Sequence, residues 1–314
     1  MHACASRVSE LRCVARTAKL TYAVVTPVRD ELGNLERLAA CLVEQTSRPD
    51  IWLIVDDGST DGTSELASSL AREHHWIRVV SLNGEKLARG APIVRAFHAG
   101  LRTLDPLPDV VMKVDADISM PPDHFERLLA EFERDPRLGI AGGIGYERQP
   151  DGAWRQRHGT GPAVWGGCRG YRRECLTDVL PLEEHMGWDT LDLMKARLRG
   201  WKAEVFYDLE FRHHRVEGER DGHRFRTATI QGEGAHFIGY RVSYLAARTL
   251  YRAVRDPAAV GLLIGYMRAS IRRSPRCADP ELRAYVRSEQ TLRKLPLRIR
   301  EARRPRAELA ERTS

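Results

Sequence analysis

The sequence predicts an α/β fold in which helices cover both faces of a doubly wound, mostly parallel β-sheet. Through the first half of the 314-residue chain, short apolar runs of strand length alternate with stretches whose apolar residues recur at helical spacing. This alternation is typical of parallel sheets, because each helix connects one strand to the next. Hydrophobic residues make up 42% of the chain, which is enough to form a buried core.

Four apolar runs predict buried strands, and they cover residues 21–27, 51–55, 77–82 and 110–114. Helical spacing predicts helices after them, around 35–42, over 63–72 and 92–101, and from 121 onward. The pattern changes after Gly139, where strands near a site are predicted in the glycine-rich stretches 138–146 and 165–173. A helix over 189–198 and a strand over 203–211 follow.

The chain is predicted to divide into three parts: a flexible leader (1–19), an α/β domain (20–215) and a basic, mainly helical extension (216–314). From residue 241 onward there are 18 Lys and Arg against 7 Asp and Glu, a net charge of +11. Because the whole chain carries +7, the first 240 residues carry −4. A basic extension on an acidic body predicts an anionic partner, such as a membrane surface, a phosphorylated lipid or nucleic acid.

Cysteine usage and hydropathy predict a cytoplasmic protein. The six cysteines are scattered and form neither a C-x-x-C pair nor a zinc-like cluster, as expected of reduced thiols. The leader lacks the apolar core of a signal peptide. The longest apolar candidate, 258–267, is shorter than the roughly 18 residues that a membrane span needs.

The first acidic motif, DDGSTDGT at 56–63, lies between a predicted strand and a predicted helix. Ligands of parallel sheets bind at this carboxyl edge of the strands. The carboxylates of Asp56 and Asp57 could accept hydrogen bonds there from a nucleobase imide and from ribose hydroxyls. Alternatively, the segment is an ordinary turn in which Asp61 or Thr63 caps the helix, but a turn does not explain the two leading acids.

A second acidic motif, Asp115-Ala116-Asp117, directly follows the fourth predicted strand. Two carboxylates one residue apart at a strand end can both reach one divalent cation, directly or through water. Mg²⁺ or Mn²⁺ prefers such oxygen ligands, keeps places for phosphate oxygens, and would neutralise a diphosphate leaving group. The alternative is a solvated loop, because D-x-D sequences are common on protein surfaces.

A third candidate is GWDTLD at 187–192, where a helix is predicted to begin. One carboxylate there, that of Asp189 or that of Asp192, could deprotonate an acceptor hydroxyl. The alternative is that these acids stabilise the positive end of the helix dipole.

The segment RHHR at 212–215 follows the last predicted strand. A neutral imidazole could complete a metal site, for which we select His214 while leaving His213 open, and the arginines could hold phosphate. The alternative is a surface or interface feature.

In this order, TPVR (26–29), VDDGSTDGT (55–63), VDADISMPPDHF (114–125) and GWDTLDLMKARLRGWK (187–202) resemble glycosyltransferase family 2, a large inverting family. The resemblance covers about residues 20–215. It implies the GT-A fold, a Rossmann-like sheet flanked by helices, here followed by a basic helical extension. GWDTLD, FRHHR and GYRVSYLAARTLYR also resemble bacterial members that assemble cell-surface polysaccharides.

The resemblance implies roles on the donor side of the reaction. Asp57 would bind the base, with Asp56 and Pro27 beside the nucleotide. Arg89 falls in the segment that would line the nucleotide and the sugar.

The resemblance also implies a D-x-D pair, a catalytic base and an activity. Asp115 and Asp117 would contact ribose and a divalent metal, Mg²⁺ or Mn²⁺, and Asp189 would be the base. Many members have Glu-Asp where this chain has Trp188-Asp189, which leaves the partner of Asp189 undefined. Asp192 remains the weaker candidate base. The implied reaction is inverting, non-processive transfer from a nucleoside-diphosphate sugar to a hydroxyl of a glycan or lipid-linked acceptor.

Three other functions compete with this one. A sugar nucleotidyltransferase would carry a basic, glycine-rich loop after the first strand, whereas PVRDELGN at 27–34 is acidic with one glycine. A catalytically inactive nucleotide-sugar-binding protein would not need the acids of all three motifs. Nucleic-acid binding is not expected, because no recognition motif accompanies the basic charge.

The extension could rest peripherally on the inner membrane, where a lipid-linked acceptor would lie. Near one helical face fall Arg241, Arg248, Arg252 and Arg255. Near another fall Ile238, Val242, Leu245 and Thr249, and the tyrosines at 240, 244 and 251 suit a headgroup layer. The alternative is a helical cover packed on the core, with the arginines in water.

Overall fold

A computed structural model of the protein describes residues 19–85, 90–149, 152–156, 163–215, 224–254, 256–294, 296–297 and 300. The candidate site residue Arg89 and nearly all of the predicted leader lie outside the described residues.

The described part of the chain contains a nine-stranded sheet with helices on both faces, which confirms the predicted α/β class. The strands are β1 (Tyr22–Val28), β2 (Ile51–Asp56), β3 (Ile77–Ser81), β4 (Val110–Val114), β5 (Ile118–Ser119), β6 (Leu138–Arg148), β7 (Trp154–Gln156), β8 (Cys168–Arg172) and β9 (Lys202–His213). The helices are α1 (Leu32–Val43), α2 (Thr63–Glu73), α3 (Ala91–Leu101), α4 (His124–Arg134), α5 (Arg173–Val179), α6 (Trp188–Leu198), α7 (Arg224–Ile238), α8 (Val242–Ala253), α9 (Gly261–Ile271) and α10 (Pro280–Glu289).

The strand order across the sheet is β3-β2-β1-β4-β8-β6-β9-β5, and β7 pairs with β6. The first four strands in this order are parallel, as predicted from the strand–helix alternation. Strand β8 runs antiparallel between β4 and β6, while β6 and β9 are again parallel to each other.

Two apolar layers hold the helices on the sheet. On one face, Leu38 of α1 and Phe125 of α4 are fully buried against side chains of β1, β2 and β4. On the other face, Val94 and Phe97 of α3 are buried in the same way. Strands covered on both faces read as continuous apolar runs, which is why β1, β2 and β4 are visible in the sequence. Each buried side chain of this size contributes about 1.5–3 kcal/mol.

The parallel strands bring the predicted motifs to one edge. Strands β1, β2 and β4 end at Val28, Asp56 and Val114, and Val28 is directly opposite Asp56 in the register. The loops that follow these strands therefore share the carboxyl edge of the sheet, where ligands of such folds bind.

The C-terminal helices are joined by backbone contact. A Cβ added to Gly265 of α9 would lie 1.9 Å from the carbonyl oxygen of Thr229 in α7, and one added to Gly232 of α7 would lie 2.1 Å from that of Leu262. Helix α7 begins at Arg224, within the predicted helical extension.

The alternative of a packed cover holds for part of the extension. Leu245 and Thr249 of α8, which the sequence put on the candidate membrane face, are buried. Within the ranges given above, no helix combines the length and apolar character that crossing a bilayer requires.

We predict that Gly265→Ala lowers the free energy of unfolding by about 1–3 kcal/mol, because the new methyl group overlaps the backbone of α7. Chemical denaturation followed by circular dichroism measures this change. Gly33→Ala in α1 is the matched control: no atom lies within 4 Å of its added Cβ, so stability should stay equal or rise. Equal stability of both variants would contradict the tight α7–α9 contact.

Candidate active site

Asp56, the last residue of β2, shapes the loop that follows its strand. One carboxylate oxygen accepts hydrogen bonds from the backbone N–H and the hydroxyl of Ser59, at 3.0 and 2.6 Å, and the other accepts one from Ser64. Both carboxylate oxygens therefore bind the loop and the first turn of α2, and the predicted place of Asp56 beside the nucleotide stays a prediction.

The carboxylate of Asp57 is buried and has one oxygen to spare. Its Oδ1 accepts a hydrogen bond from Arg95 at 2.9 Å, while Oδ2 lies 3.7 Å from the guanidinium of Arg29. Within the described residues, this Oδ2 is buried and has no hydrogen-bond partner. Buried acceptors nearly always find a donor, so the atom suits an N–H or O–H group of a ligand.

Pro27 lies at the same edge, opposite Val55 in the register of β1 and β2. It is half-buried, one residue before the end of its strand. Its predicted place beside the nucleotide stays a prediction, as does the role of Arg89.

A buried lysine holds the first residue of the D-x-D pair. Lys113, inside β4, forms an ion pair with Asp115 and donates a hydrogen bond to the carbonyl oxygen of Gly166 at 2.8 Å. The backbone N–H of Asp115 donates to the carbonyl oxygen of Gly167 at 2.8 Å. Burial and the charge of Asp117 raise the pKa of Asp115, and the Lys113 ammonium opposes them.

Cationic groups surround the second residue of the pair. The Oδ2 of Asp117 lies 3.4 Å from Nε2 of His213 and 3.4 Å from the guanidinium of Arg215. Arg215 also forms a bidentate ion pair with Glu31, at 2.8 and 2.6 Å. Burial lowers the pKa of His213, but the carboxylates of Asp117 and Glu147 outweigh it and raise the pKa to about 9.

The structure shows which of the two histidines lies beside the carboxylate of Asp117, while the predicted metal role of His214 stays a prediction. The Nε2 of His214, our predicted metal ligand, is hydrogen-bonded to the hydroxyl of Ser119 at 2.7 Å, and its ring packs edge-on against Trp154. The imidazole beside Asp117 is that of His213. The reason is the alternation of side chains along the end of β9, which sends neighbouring residues to opposite sides.

The donor set around Asp115 and Asp117 fits a cation that arrives with a ligand. No group of three or more His, Cys, Asp or Glu side chains in the described ranges could hold a metal alone. Mg²⁺ and Mn²⁺ are commonly bound by one or two carboxylates together with substrate phosphates. The two aspartates would supply those carboxylates.

The Gly166–Gly167 turn brings Asp189 to the same place. A Cβ added to Gly166 would lie 3.0 Å from Oδ2 of Asp189, in the first turn of α6. The same turn binds the Lys113 side chain and the Asp115 backbone. Asp189 is half-buried.

Asp192, the weaker candidate base, has a structural role. The fully buried guanidinium of Arg169 binds both of its carboxylate oxygens, at 2.8 and 2.7 Å, and the hydroxyl of Tyr171 donates to it as well. Arg169 also donates to the backbone carbonyl of Asp189 at 3.3 Å. The buried ion pair therefore fixes the start of α6 and leaves Asp189 as the available acid.

Sequence reasoning missed several groups that organise this site. They are Lys113, Arg95, Glu31, Glu147 and Arg169. Only Lys113 could have been found from the sequence, because it lies inside the apolar run 110–114. A lysine in a buried strand is rarely without a partner, so an acidic partner could have been expected.

Solved structures with the same fold are glycosyltransferases. The mannosyltransferase PcManGT from Pyrobaculum calidifontis, solved with GDP-Man and Mn²⁺, matches with a TM-score of 0.56 and 18% identity over 86% of this chain and 84% of that one. GalNAc-T7, solved with UDP, GalNAc and Mn²⁺, also reaches 0.56, with 15% identity over 86% of this chain and 54% of that one. The chain therefore has the GT-A fold of these glycosyltransferases.

The sequence narrows this class to one family. The model of the family "Glycosyl transferase family 2" matches residues 23–180, half of the chain, from the second residue of β1 to the residue after α5. The chain belongs to glycosyltransferase family 2.

Named relatives come from bacteria. The undecaprenyl-phosphate 4-deoxy-4-formamido-L-arabinose transferase of Pseudomonas aeruginosa (strain LESB58) is 30% identical over 179 residues, which are 51% of this chain and 50% of the relative. The enzyme of the same name from Pseudomonas savastanoi pv. phaseolicola is 29% identical over 61% of this chain and 58% of the relative. The chain thus spans about half the length of the curated relatives it matches.

Mutation of the two acids of α6 should have different effects on the free energy of unfolding. Asp192→Asn leaves the buried charge of Arg169 without its counter-ion, so we predict a loss of about 3–5 kcal/mol in the free energy of unfolding. Asp189→Asn, three residues earlier and half-buried, should change stability by less than about 1 kcal/mol. Urea denaturation of both variants measures these changes. An unchanged free energy of unfolding in Asp192→Asn would contradict the structural role of the Arg169–Asp192 ion pair.

Proposed function

We propose that this protein transfers a sugar from a nucleoside-diphosphate sugar to a lipid-linked acceptor, with inversion at the anomeric carbon and with help from a divalent metal. The observation that carries the proposal is the meeting of Asp57, Asp115, Asp117 and Asp189 at one sheet edge. Membership of the family and the names of the relatives agree with it.

On the donor side, the spare oxygen of Asp57 would accept a hydrogen bond from the base or ribose. Asp115 and Asp117 would hold Mg²⁺ or Mn²⁺ at the diphosphate. The metal, when bound, would offset the negative charge that grows on the leaving group. Arg215 and Lys113 add fixed positive charge around the pair of aspartates.

On the acceptor side, Asp189 would take the proton of an attacking hydroxyl. The C–O bond to the sugar forms as the bond to the diphosphate breaks, and the nucleoside diphosphate leaves with the electron pair. One displacement from the opposite face inverts the anomeric carbon. Arg169 positions Asp189 by binding its backbone carbonyl.

A second candidate acceptor is a polyprenyl phosphate, as in the names of the relatives. A phosphate monoester carries about −1.5 to −2 charge at neutral pH, so its oxygen can attack with no proton to remove. Asp189 would then be dispensable as a base. The two acceptors thus predict different results for the same variant.

The decisive assay mixes the full chain with UDP-, GDP- and dTDP-sugars, Mn²⁺ or Mg²⁺, and lipid extracts with or without polyprenyl phosphate. Release of nucleoside diphosphate and label in the lipid phase are measured. Donor turnover with lipid labelling supports the transferase. Donor binding without turnover supports an inactive binding protein, and release of inorganic pyrophosphate from a nucleoside triphosphate and a sugar phosphate supports a nucleotidyltransferase.

For a hydroxyl acceptor we predict that Asp189→Asn lowers the transfer rate by about 10²–10⁴-fold, because the general base is lost. Donor affinity should stay within about twofold, as measured by titration calorimetry. Asp123→Asn, an exposed acid outside the site, is the control and should keep full activity. Full transfer by Asp189→Asn would reject the base assignment and favour the phosphate acceptor.

The two donor-side acids should differ in their dependence on metal. Asp117→Asn should abolish the extra rise in melting temperature that Mn²⁺ gives in the presence of nucleoside diphosphate. Asp57→Asn should weaken nucleotide binding by about tenfold to a hundredfold with or without Mn²⁺, because it alters a charged acceptor. If Mn²⁺ still raised the melting temperature of Asp117→Asn, the assignment of Asp117 as a metal ligand would be wrong.

A further inference from the structure

Helix α9 and the turn before it expose an apolar stripe. The side chains of Val260, Ile264, Met267 and Ile271 are 44%, 45%, 48% and 77% exposed. Their spacing of four, three and four residues puts them on one side of the helix. We call these four residues the α9 stripe. Contiguous exposed apolar surface of this kind commonly marks an interaction site.

The stripe faces away from the protein. The other side of α9 is buried, with Leu262, Gly265, Tyr266 and Ala269 packed toward the rest of the chain. The backbone contact of Gly265 with α7 prevents the helix from turning its apolar side inward. The exposed apolar side chains are therefore a fixed feature of the fold and not the result of a loosely packed helix.

Arginines accompany the stripe. Between residues 260 and 276 the sequence carries Arg268, Arg272, Arg273 and Arg276 and no acidic residue. Arg268 and Arg272 line a shallow groove together with Ile264, Met267 and Ile271. An apolar stripe edged by arginines is complementary to a surface that is apolar inside and anionic outside.

We propose that the α9 stripe docks on a lipid bilayer that contains anionic headgroups. The four apolar side chains enter the boundary between headgroups and acyl chains, and the arginines bind lipid phosphates. This surface differs from the one expected at 236–255, where Leu245 and Thr249 are buried in the protein.

The fold carries this surface close to the candidate active site. Helix α7 lies between α9 and the start of α6: it touches α9 at Gly232 and Gly265, and its Gly234 lies 3.0 Å, measured from an added Cβ, from the carbonyl oxygen of Met186. Met186 is three residues before Asp189. Two helices, α9 and α7, therefore separate a bilayer at the stripe from the elements that carry the candidate base, a distance of roughly 20 Å.

The test is flotation of the full chain with vesicles of phosphatidylcholine, alone or mixed with phosphatidylglycerol, without donor or metal. We expect binding to the anionic vesicles at low salt and its loss at about 0.5 M NaCl, because salt screens the arginines. Ile271→Asp should lower the bound fraction about tenfold. Val43→Asp, which alters an apolar residue that is 45% exposed at the end of α1, is the control and should bind like the unmodified protein.

The charge and the apolar side chains are tested separately. Arg272→Gln combined with Arg273→Gln should weaken binding to anionic vesicles while the melting temperature stays unchanged. No flotation of the unmodified protein, or equal flotation of Ile271→Asp, would overturn the proposal. So would analytical ultracentrifugation that shows a dimer dissociated by Ile271→Asp, since the stripe would then bind a second copy. Asp117→Asn should bind the anionic vesicles like the unmodified protein, so that this test does not depend on the proposed catalysis.

Discussion

The ammonium group of Lys113 lies where three parts of the candidate site meet. It forms an ion pair with Asp115, donates to the carbonyl oxygen of Gly166, and lies 5.3 Å from the centre of the Trp188 ring. Because the lysine is only 1% exposed, removing one partner would leave a buried charge at a cost of several kcal/mol. This constraint holds the end of β4, the glycine turn and the start of α6 in one arrangement.

The features that the sequence predicts well are those encoded over short distances. Strands β1, β2 and β4 are covered on both faces, so each stands out as an apolar run. The motifs that begin at Asp56 and Asp115 follow these runs directly, and parallel strands necessarily carry such residues to one edge. Fold class and the approximate place of the site could therefore be derived without coordinates.

The features that it predicts poorly depend on contacts between distant segments. The partner of Asp192 is Arg169, 23 positions earlier and in another element, so the sequence cannot tell a buried ion pair from a free acid. The choice between His213 and His214 depends on which side of β9 each one occupies. Helix α7 has no apolar periodicity, because its glycines serve close packing, with Gly232 against α9 and Gly234 against Met186.

The position of β1 between β2 and β4 sets the distance between Asp57 and Asp115. Asp57 and Asp115 follow the two strands that flank β1, and neighbouring strands are about 4.8 Å apart, so the acids are separated by roughly 10 Å. In the proposed reaction, a nucleoside alone or a diphosphate alone would engage one of them. The intact nucleoside diphosphate engages both, and its second contact gains from a high effective concentration. In that reaction the spent nucleotide would keep both contacts after the sugar has gone, so its departure is the step that this spacing would slow.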